Sequence, residues 1–171
     1  ARTDSAGAQI GAQDCLIALS ASGTTPYALG AVREAAARGA VTIGIANNPG
    51  APLLGIVDVP VLIETPAEVI AGSTRMGAGT AQKIALNMMS TLMAIHLGHV
   101  HDGYMVNLRP DNVKLKDRAA RIVAAIAGCA PDAAAELLAR SGGSVKAAIL
   151  MASGAQDAAD AERLLQSAGQ R

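Results

Sequence analysis

Three short apolar runs near the start of the chain do most to constrain its fold. They cover residues 15–19, 41–46 and 59–63, and a segment with helical spacing of apolar residues, Tyr27–Arg38, separates the first two. Short runs without polar alternation are typical of strands buried in a parallel sheet, and their alternation with helices predicts a layered α/β unit. Pro60 lacks an amide donor, so the third strand is expected to lie at a sheet edge or to begin there.

A longer helix is predicted from about Thr80 to Leu97. Its large apolar residues surround the helix almost completely, so we expect it to be deeply buried; they are Ile84, Leu86, Met88, Met89, Leu92, Met93 and Ile95. A sheet of only three strands is thin and has an exposed edge. The thin sheet and the wholly apolar helix predict a homodimer, or further strands that precede Ala1 in a longer protein.

Beyond Pro110 the pattern changes to short amphipathic helices that glycines separate. These helices are predicted at Asp117–Ala127, Pro131–Arg140, Ser144–Ala152 and Asp157–Ser167, with Asp132 and Ser144 as candidate capping residues. We therefore expect two domains. Residues 1–112 form a parallel-sheet domain that is incomplete at its N-terminal side, and residues 113–171 form a small helical domain similar to a UBA fold.

The composition argues against several classes of function. Lysine plus arginine and aspartate plus glutamate number 14 each, so no charge excess favours nucleic acid or an anionic membrane as a partner. The chain has two Tyr and no Phe or Trp, which leaves no set of aromatic rings for stacking bases. Cys15 and Cys129 are too few for a disulfide framework or a zinc site, which favours a reducing compartment.

A hydroxyl-rich turn, residues 20–25, follows the first predicted strand, and we call it the hydroxyl loop. Its four hydroxyl groups belong to Ser20, Ser22, Thr24 and Thr25, and Gly23 allows a ligand to approach the backbone closely. Ligands of open parallel sheets bind at the carboxyl ends of strands, and the N-terminus of a helix favours anions. Phosphate is the natural ligand, although a turn in which Thr25 merely caps its helix fits the same residues.

Two other polar segments deserve comparison with this loop. Residues 72–80 form a flexible segment whose Arg75 either pairs with an anionic ligand or holds the loop in place. Near the end of the apolar helix, His96, His99 and His101 are spaced as some metal ligands are. No further ligand is evident, and cations are favourable at a helix C-terminus in any case, so we expect no metal.

Several motifs occur in one order along the chain. They are Ser20-Ala-Ser-Gly-Thr-Thr-Pro-Tyr27, Gly72-Ser-Thr-Arg75, Gly79-Thr-Ala-Gln-Lys83, Leu86-Asn-Met-Met-Ser-Thr91 and Tyr104-Met-Val-Asn107. Together they closely resemble the carboxyl-terminal half of the N-acetylmuramic acid 6-phosphate etherases, which contain a sugar isomerase (SIS) domain and are related to the glucokinase regulatory protein. The resemblance extends into the tail, through Gly128–Asp132 and Ser141–Ile149.

This resemblance implies a bacterial cytoplasmic lyase of peptidoglycan recycling that needs no metal or organic cofactor. Such enzymes cleave the D-lactyl ether of N-acetylmuramic acid 6-phosphate to N-acetylglucosamine 6-phosphate and D-lactate. It also implies that the substrate contacts Ser20, Ser22, Gly23, Thr24 and Thr25. The same role is implied for four residues of the next loop: Glu68, Ser73, Thr74 and Arg75.

The chain departs from the family pattern in three ways. The acid/base Glu residues of the family precede the hydroxyl loop, and only 19 residues stand before Ser20 here, so the catalytic residues stay unassigned and the chain alone is expected to be inactive. Thr24 replaces a common Arg, and Gly77 replaces a common Lys. A non-catalytic module that binds sugar phosphates, as the regulatory relatives do, is the alternative function.

Overall fold

A computed structural model describes Asp4 and residues 7–169 of the 171-residue chain. The chain divides into two compact units, residues 1–88 and 89–171, which are described separately below. The expected boundary between residues 112 and 113 stays a prediction.

The first unit contains the predicted parallel sheet. Its strands are β1 (Cys15–Leu19), β2 (Val41–Ala46) and β3 (Val59–Leu62), and they lie in the order β1-β2-β3 with both pairs parallel. Pro60 lies opposite Gly44 at the outer strand, as its missing donor predicts. The layered α/β class expected from the sequence is confirmed.

One face of this sheet carries the core of the first unit. Helix α1 (Pro26–Ala37) and a 3₁₀ turn (Pro52–Gly55) pack there, and Ala18, Val32 and Leu53 are buried together. On the opposite face, the register places Ile17 beside Ile43 and Ile43 beside Val59. Ile17 and Val59 are exposed, so the described residues leave part of that apolar face uncovered.

Helix α2 (Gly77–His96) corrects one expectation. It was expected to be deeply buried, yet Ala78 is its one buried residue, and Met88 and Leu92 are 59% and 62% exposed. The helix is as apolar as the sequence indicates, but burial also needs neighbours. The described residues leave most of its large apolar side chains exposed.

The second unit is helical apart from a two-stranded antiparallel hairpin that the sequence analysis did not predict. The hairpin pairs β4 (Val100–His101) with β5 (Tyr104–Met105), and Asp102 and Gly103 form its turn with φ of 48° and 78°. An Asp-Gly pair is a strong signal for this kind of turn. The strands are too short for their apolar pattern to be recognised.

Four helices complete the second unit. They are α3 (Val113–Ala127), α4 (Pro131–Arg140), α5 (Val145–Ala152) and α6 (Ala158–Ser167), with Val123, Ala134, Val145 and Ala148 among the buried core residues. Helix α3 begins four residues before its predicted start because the Asn112 side chain accepts a hydrogen bond from Leu115 N at 2.9 Å.

Of the two capping residues predicted for this unit, the structure confirms one. Ser144 caps α5 as predicted, since its hydroxyl accepts from Ala147 N at 3.2 Å. The expectation for Asp132 is wrong, because Ala130 is the N-cap of α4 and Asp132 lies in its first turn.

Among the described residues no single helix is long and apolar enough to cross a bilayer, although α3 and α4, bent by 110°, meet that length and composition together.

Three reciprocal hydrogen bonds between Thr42 and Asp58 fix the amino end of β2. Asp58 Oδ2 accepts from both the backbone N and the hydroxyl of Thr42, each at 2.8 Å, and Thr42 Oγ1 accepts from Asp58 N at 3.0 Å. The bonds from the Thr42 hydroxyl and then its amide hold the pKa of Asp58 below its ordinary value. The carboxylate therefore favours the folded state only while it is ionised.

Asp58→Asn is expected to lower the melting temperature at pH 7 and to have a smaller effect in acid. A carboxyl whose pKa is depressed by folding stabilises above its unfolded pKa, and that stability is lost as pH falls below about 4 toward the folded value. Thermal melts of both proteins from pH 7 to pH 2.5 measure the difference. A gap that stays constant over this range would contradict the assignment.

Candidate functional site

The hydroxyl loop lies at the carboxyl end of β1, where the sequence places it. Ser20 is 7% exposed, and its Oγ accepts a hydrogen bond from Gly23 N at 3.0 Å. The same Oγ lies 2.8 Å from Thr25 Oγ1, so the first and last hydroxyls of the loop hydrogen-bond to each other. This pairing closes the loop into a compact turn.

Ser22 and Thr24 lie at the outer side of the same turn. Their hydroxyl oxygens are 2.8 Å apart, and Ser22 Oγ accepts from Thr24 N at 3.2 Å. Either hydroxyl can donate to the other, so reorienting them would turn a donor toward a bound oxyanion without moving the backbone. The turn carries no charged side chain.

Thr25 stands at the N-cap of α1, with Pro26 in the first helical position, as predicted. Its hydroxyl makes no capping hydrogen bond, however, because it bonds to Ser20. The backbone N–H groups of Thr25, Tyr27 and Ala28 have no acceptor among the described residues. The alternative in which Thr25 merely caps its helix is therefore wrong, because the Thr25 side chain does not cap α1. The N-terminus of α1 keeps unpaired amide donors among the described residues.

Gly23 is required by the shape of this turn. Its φ is +66°, and a Cβ built there would overlap the Ala51 side chain and lie 3.3 Å from Ala46 Cβ. Gly23 O also accepts from Leu53 N at 3.0 Å, which joins the loop to the 3₁₀ turn. The glycine brings the loop close to the neighbouring backbone, and a side chain would prevent that approach.

A cleft of about 480 Å³ lies beside the hydroxyl loop, which it touches at Ala21. The loop between β3 and α2 supplies much of its wall, including Thr65, Glu68, Ser73 and Thr74. These groups are mostly neutral hydrogen-bonding groups, which suit the hydroxyls of a sugar. Three of the four residues expected in the second loop therefore line one cleft.

Glu68 has a structural role within that wall. Its Oε1 accepts from Gly77 N at 3.0 Å and from Ala78 N at 3.1 Å, so the carboxylate caps α2. Arg75, the fourth expected residue, is exposed and is not among the residues that line the cleft. Ligand contact by any of the nine residues stays a prediction.

Asn47 is a residue of this site that the sequence analysis missed. Asn47 is not singled out in the sequence analysis, yet it is 3% exposed and lines the cleft at the carboxyl end of β2. Its Nδ2 donates to Ile63 O at 2.8 Å, and its Oδ1 accepts from Gln82 Nε2 at 2.9 Å. The available signal was its position directly after a buried strand.

Tyr27, the last residue of the loop motif, hydrogen-bonds to Asp4. Its hydroxyl donates to Asp4 Oδ2 at 2.8 Å, and this bond, with the negative charge of Asp4, raises the pKa of the tyrosine. The same bond lowers the pKa of Asp4. Tyr27 is therefore a neutral phenol near pH 7 and is not poised as a base.

The remaining candidates lie in the second unit. His101 Nε2 is 3.9 Å from Asp102 Oδ2, and both side chains are exposed. Within the described part of the chain, no three His, Cys, Asp or Glu side chains are placed to hold a metal ion. A larger cleft, of about 850 Å³, is lined by residues between 106 and 145 and includes none of the nine expected contact residues.

Comparison with known proteins agrees with the geometry of the first unit. The SIS domain matches residues 3–96, more than half of the chain. An N-acetylmuramic acid 6-phosphate etherase of Deinococcus radiodurans is 52% identical over 94% of this chain and 52% of its own length. Etherases of the same name from Rubrobacter xylanophilus and Streptomyces avermitilis are 50% and 45% identical, over 82% and 95% of this chain.

These matches also define how much of the relatives is represented here. The chain spans about half the length of the curated relatives it matches, between 47% and 52% for these three. The region that the SIS domain matches, residues 3–96, includes the hydroxyl loop, the cleft and helix α2. The resemblance inferred from the motifs is thus confirmed, and the chain belongs to the SIS domain family.

Proposed function

We propose that this chain is the carboxyl-terminal part of an N-acetylmuramic acid 6-phosphate etherase and holds the phosphate of its substrate. The observation that carries the proposal is the hydroxyl loop at the carboxyl end of β1, with unpaired amides at the start of α1. Neutral donors at a helix N-terminus favour a phosphate group. The similarity to the etherases supports this assignment.

In this proposal the two loops divide the substrate between them. The phosphate lies on the hydroxyl loop, where Ser22 and Thr24 turn their hydroxyls outward, and the sugar lies in the adjoining cleft. The resemblance implies that the sugar opens to its aldehyde and that a carboxylate base removes the proton beside the carbonyl. Lactate then leaves from C3 as it gains a proton, and water adds to the unsaturated product at the same carbon.

The base itself is not assigned to a residue of this chain. Glu68 is the one carboxylate among the residues that line the cleft, and its Oε1 is already occupied by two backbone amides of α2. It stabilises the wall of the cleft in this arrangement. We therefore expect no lactate release by the 171-residue chain alone.

Calorimetry tests the phosphate site directly. N-acetylglucosamine 6-phosphate is expected to bind the chain, and unphosphorylated N-acetylglucosamine is expected to bind far more weakly. Ser22→Ala should weaken binding of the phosphate by about tenfold, since one hydrogen bond to a charged group contributes about 1.5 kcal/mol. Ser167→Ala, at an exposed position in α6, is the control and should change nothing.

Failure of either arm would contradict the proposal. No binding by the unaltered chain removes the phosphate site. Equal losses in Ser22→Ala and Ser167→Ala would mean that the hydroxyl loop is not its location. Lactate release by the chain alone would show that one of its own carboxylates is the base.

A non-catalytic sugar-phosphate module is the second candidate, and the engagement of Glu68 with α2 favours it. The two functions give different results when this chain is joined to the part of a relative that it does not match. Because the proposal makes this chain the carboxyl-terminal part of the enzyme, the residues of the Deinococcus radiodurans etherase outside its matched region would be fused to Ala1. Lactate release by the fusion supports the etherase, and binding without release supports the module.

We further propose that the protein forms a homodimer in the bacterial cytoplasm. Helix α2 presents large apolar side chains that the described residues do not cover, among them Met88, Leu92 and Ile95. Exposed apolar surface of this extent is typical of a protein interface. A second copy of the chain would provide a matching surface through two-fold symmetry.

A further inference from the structure

The side chain of Asn47 connects two parts of the first unit that are distant in sequence. Its Nδ2 donates to the carbonyl oxygen of Ile63, directly after β3, and its Oδ1 accepts from Gln82 in the second turn of α2. Its backbone N donates to Ala21 O in the hydroxyl loop at 3.0 Å. One buried residue thus bonds to the hydroxyl loop, to the residue that follows β3, and to α2.

These contacts enclose the loop that forms the wall of the cleft. Residues 64–76 follow Ile63, which comes directly after β3, and end where α2 begins at Gly77. Asn47 bonds to Ile63 before this loop and to Gln82, five residues after the helix begins. Glu68 adds a second link between this loop and the first amides of α2. Ser73 and Thr74 are therefore positioned by bonds made at the two ends of their loop.

We propose that Asn47 and Gln82 are positioning residues that hold the Ser73–Thr74 wall of the cleft in register with the hydroxyl loop. The inference rests on the proposed function for its ligand, since the two loops would then contact the sugar and the phosphate of one molecule. Neither side chain has to touch that molecule in order to act.

The chemistry of the contact requires an amide at position 47. Asn47 donates to one neighbour and accepts from another, and a carboxylate can only accept. Asn47→Asp would keep its size but place a negative oxygen against the Ile63 carbonyl. Gln82→Glu would likewise remove the donor that faces Asn47 Oδ1. Each substitution breaks one link and leaves the other in place.

Hydrogen exchange of the ligand-free protein tests the positioning itself. In both variants the backbone amides of residues 64–76 are expected to exchange at least severalfold faster than in the unaltered chain. The amides of β1 and β2 should keep their protection, because their pairing does not involve either side chain. Gln13→Glu is the control. Gln13 is exposed, and the substitution adds the same charge, so all of these exchange rates should stay unchanged.

Two ligands then separate positioning from a general loss of structure. Asn47→Asp and Gln82→Glu are expected to weaken binding of N-acetylglucosamine 6-phosphate about tenfold, as loss of one net hydrogen bond would. Binding of inorganic phosphate, which needs only the hydroxyl loop, should stay within about twofold of the unaltered chain. A merely destabilised unit would lose both ligands alike.

The exchange rates and the two affinities test the positioning role and the proposed function separately. Unchanged exchange in residues 64–76, or equal losses for both ligands, would overturn the positioning role. If the unaltered chain binds neither ligand, the proposed function fails. In that case the exchange rates alone decide whether Asn47 and Gln82 hold the loop.

Discussion

Gly23→Ala is expected to destabilise the first unit by about 3 kcal/mol and to abolish measurable binding of sugar phosphate. A residue with a Cβ at a left-handed φ costs about 1–2 kcal/mol. The new methyl group would also overlap Ala51, and overpacking of this kind costs about 1–3 kcal/mol. Because the loop cannot keep its shape, its hydroxyls lose their alignment.

Gly50→Ala separates the two causes. Gly50 has a φ of +71°, close to that of Gly23, but nothing lies within 4 Å of the position its Cβ would take. Denaturant unfolding should therefore show about 1–2 kcal/mol for Gly50→Ala, from backbone strain alone. Equal losses at the two positions would show that the contact with Ala51 contributes nothing.

Leu92→Asp is expected to convert the proposed homodimer to monomers. Leu92 is 62% exposed on α2, and a carboxylate buried there between two copies would have no partner. Burying an unpaired charge costs several kcal/mol, so the dimer dissociation constant should rise more than about 100-fold. Sedimentation velocity of both proteins at micromolar concentration measures the change, and circular dichroism checks that the helices remain.

Leu164→Asp is the matched control. Leu164 is an exposed apolar residue of α6, at 46%, and the proposed interface does not include it. The variant should remain a dimer. A monomeric unaltered chain, or equal dissociation in both variants, would contradict an interface on α2.

Local pattern was sufficient for most elements of the fold. Strands β1 and β2 and helix α4 have the bounds that the sequence predicts, because short apolar runs, prolines and glycines mark their ends. The β4–β5 hairpin and the early start of α3 were missed, since each depends on a turn or cap of only a few residues. The exposure of α2 could not be predicted, because it depends on which surfaces lie beside the helix.

In the candidate site, too, local sequence predicts some features, and contacts between distant segments determine the others. The position of the hydroxyl loop follows from the strand that precedes it, so the sequence was sufficient to predict it. The bond from Ser20 to Thr25, the engagement of Glu68 with α2, and the role of Asn47 depend on contacts between separate segments. No local pattern of residues contains those contacts.

The neutral character of the hydroxyl loop has a consequence for how a ligand arrives. The loop has no charged side chain, and Glu68 is the one charged residue among those that line the neighbouring cleft. Long-range attraction of an anion needs a concentration of positive charge, and salt screens such attraction. In the proposed function, capture would depend on hydrogen bonds made at contact, so the association rate of a phosphorylated sugar should change little between dilute and concentrated salt.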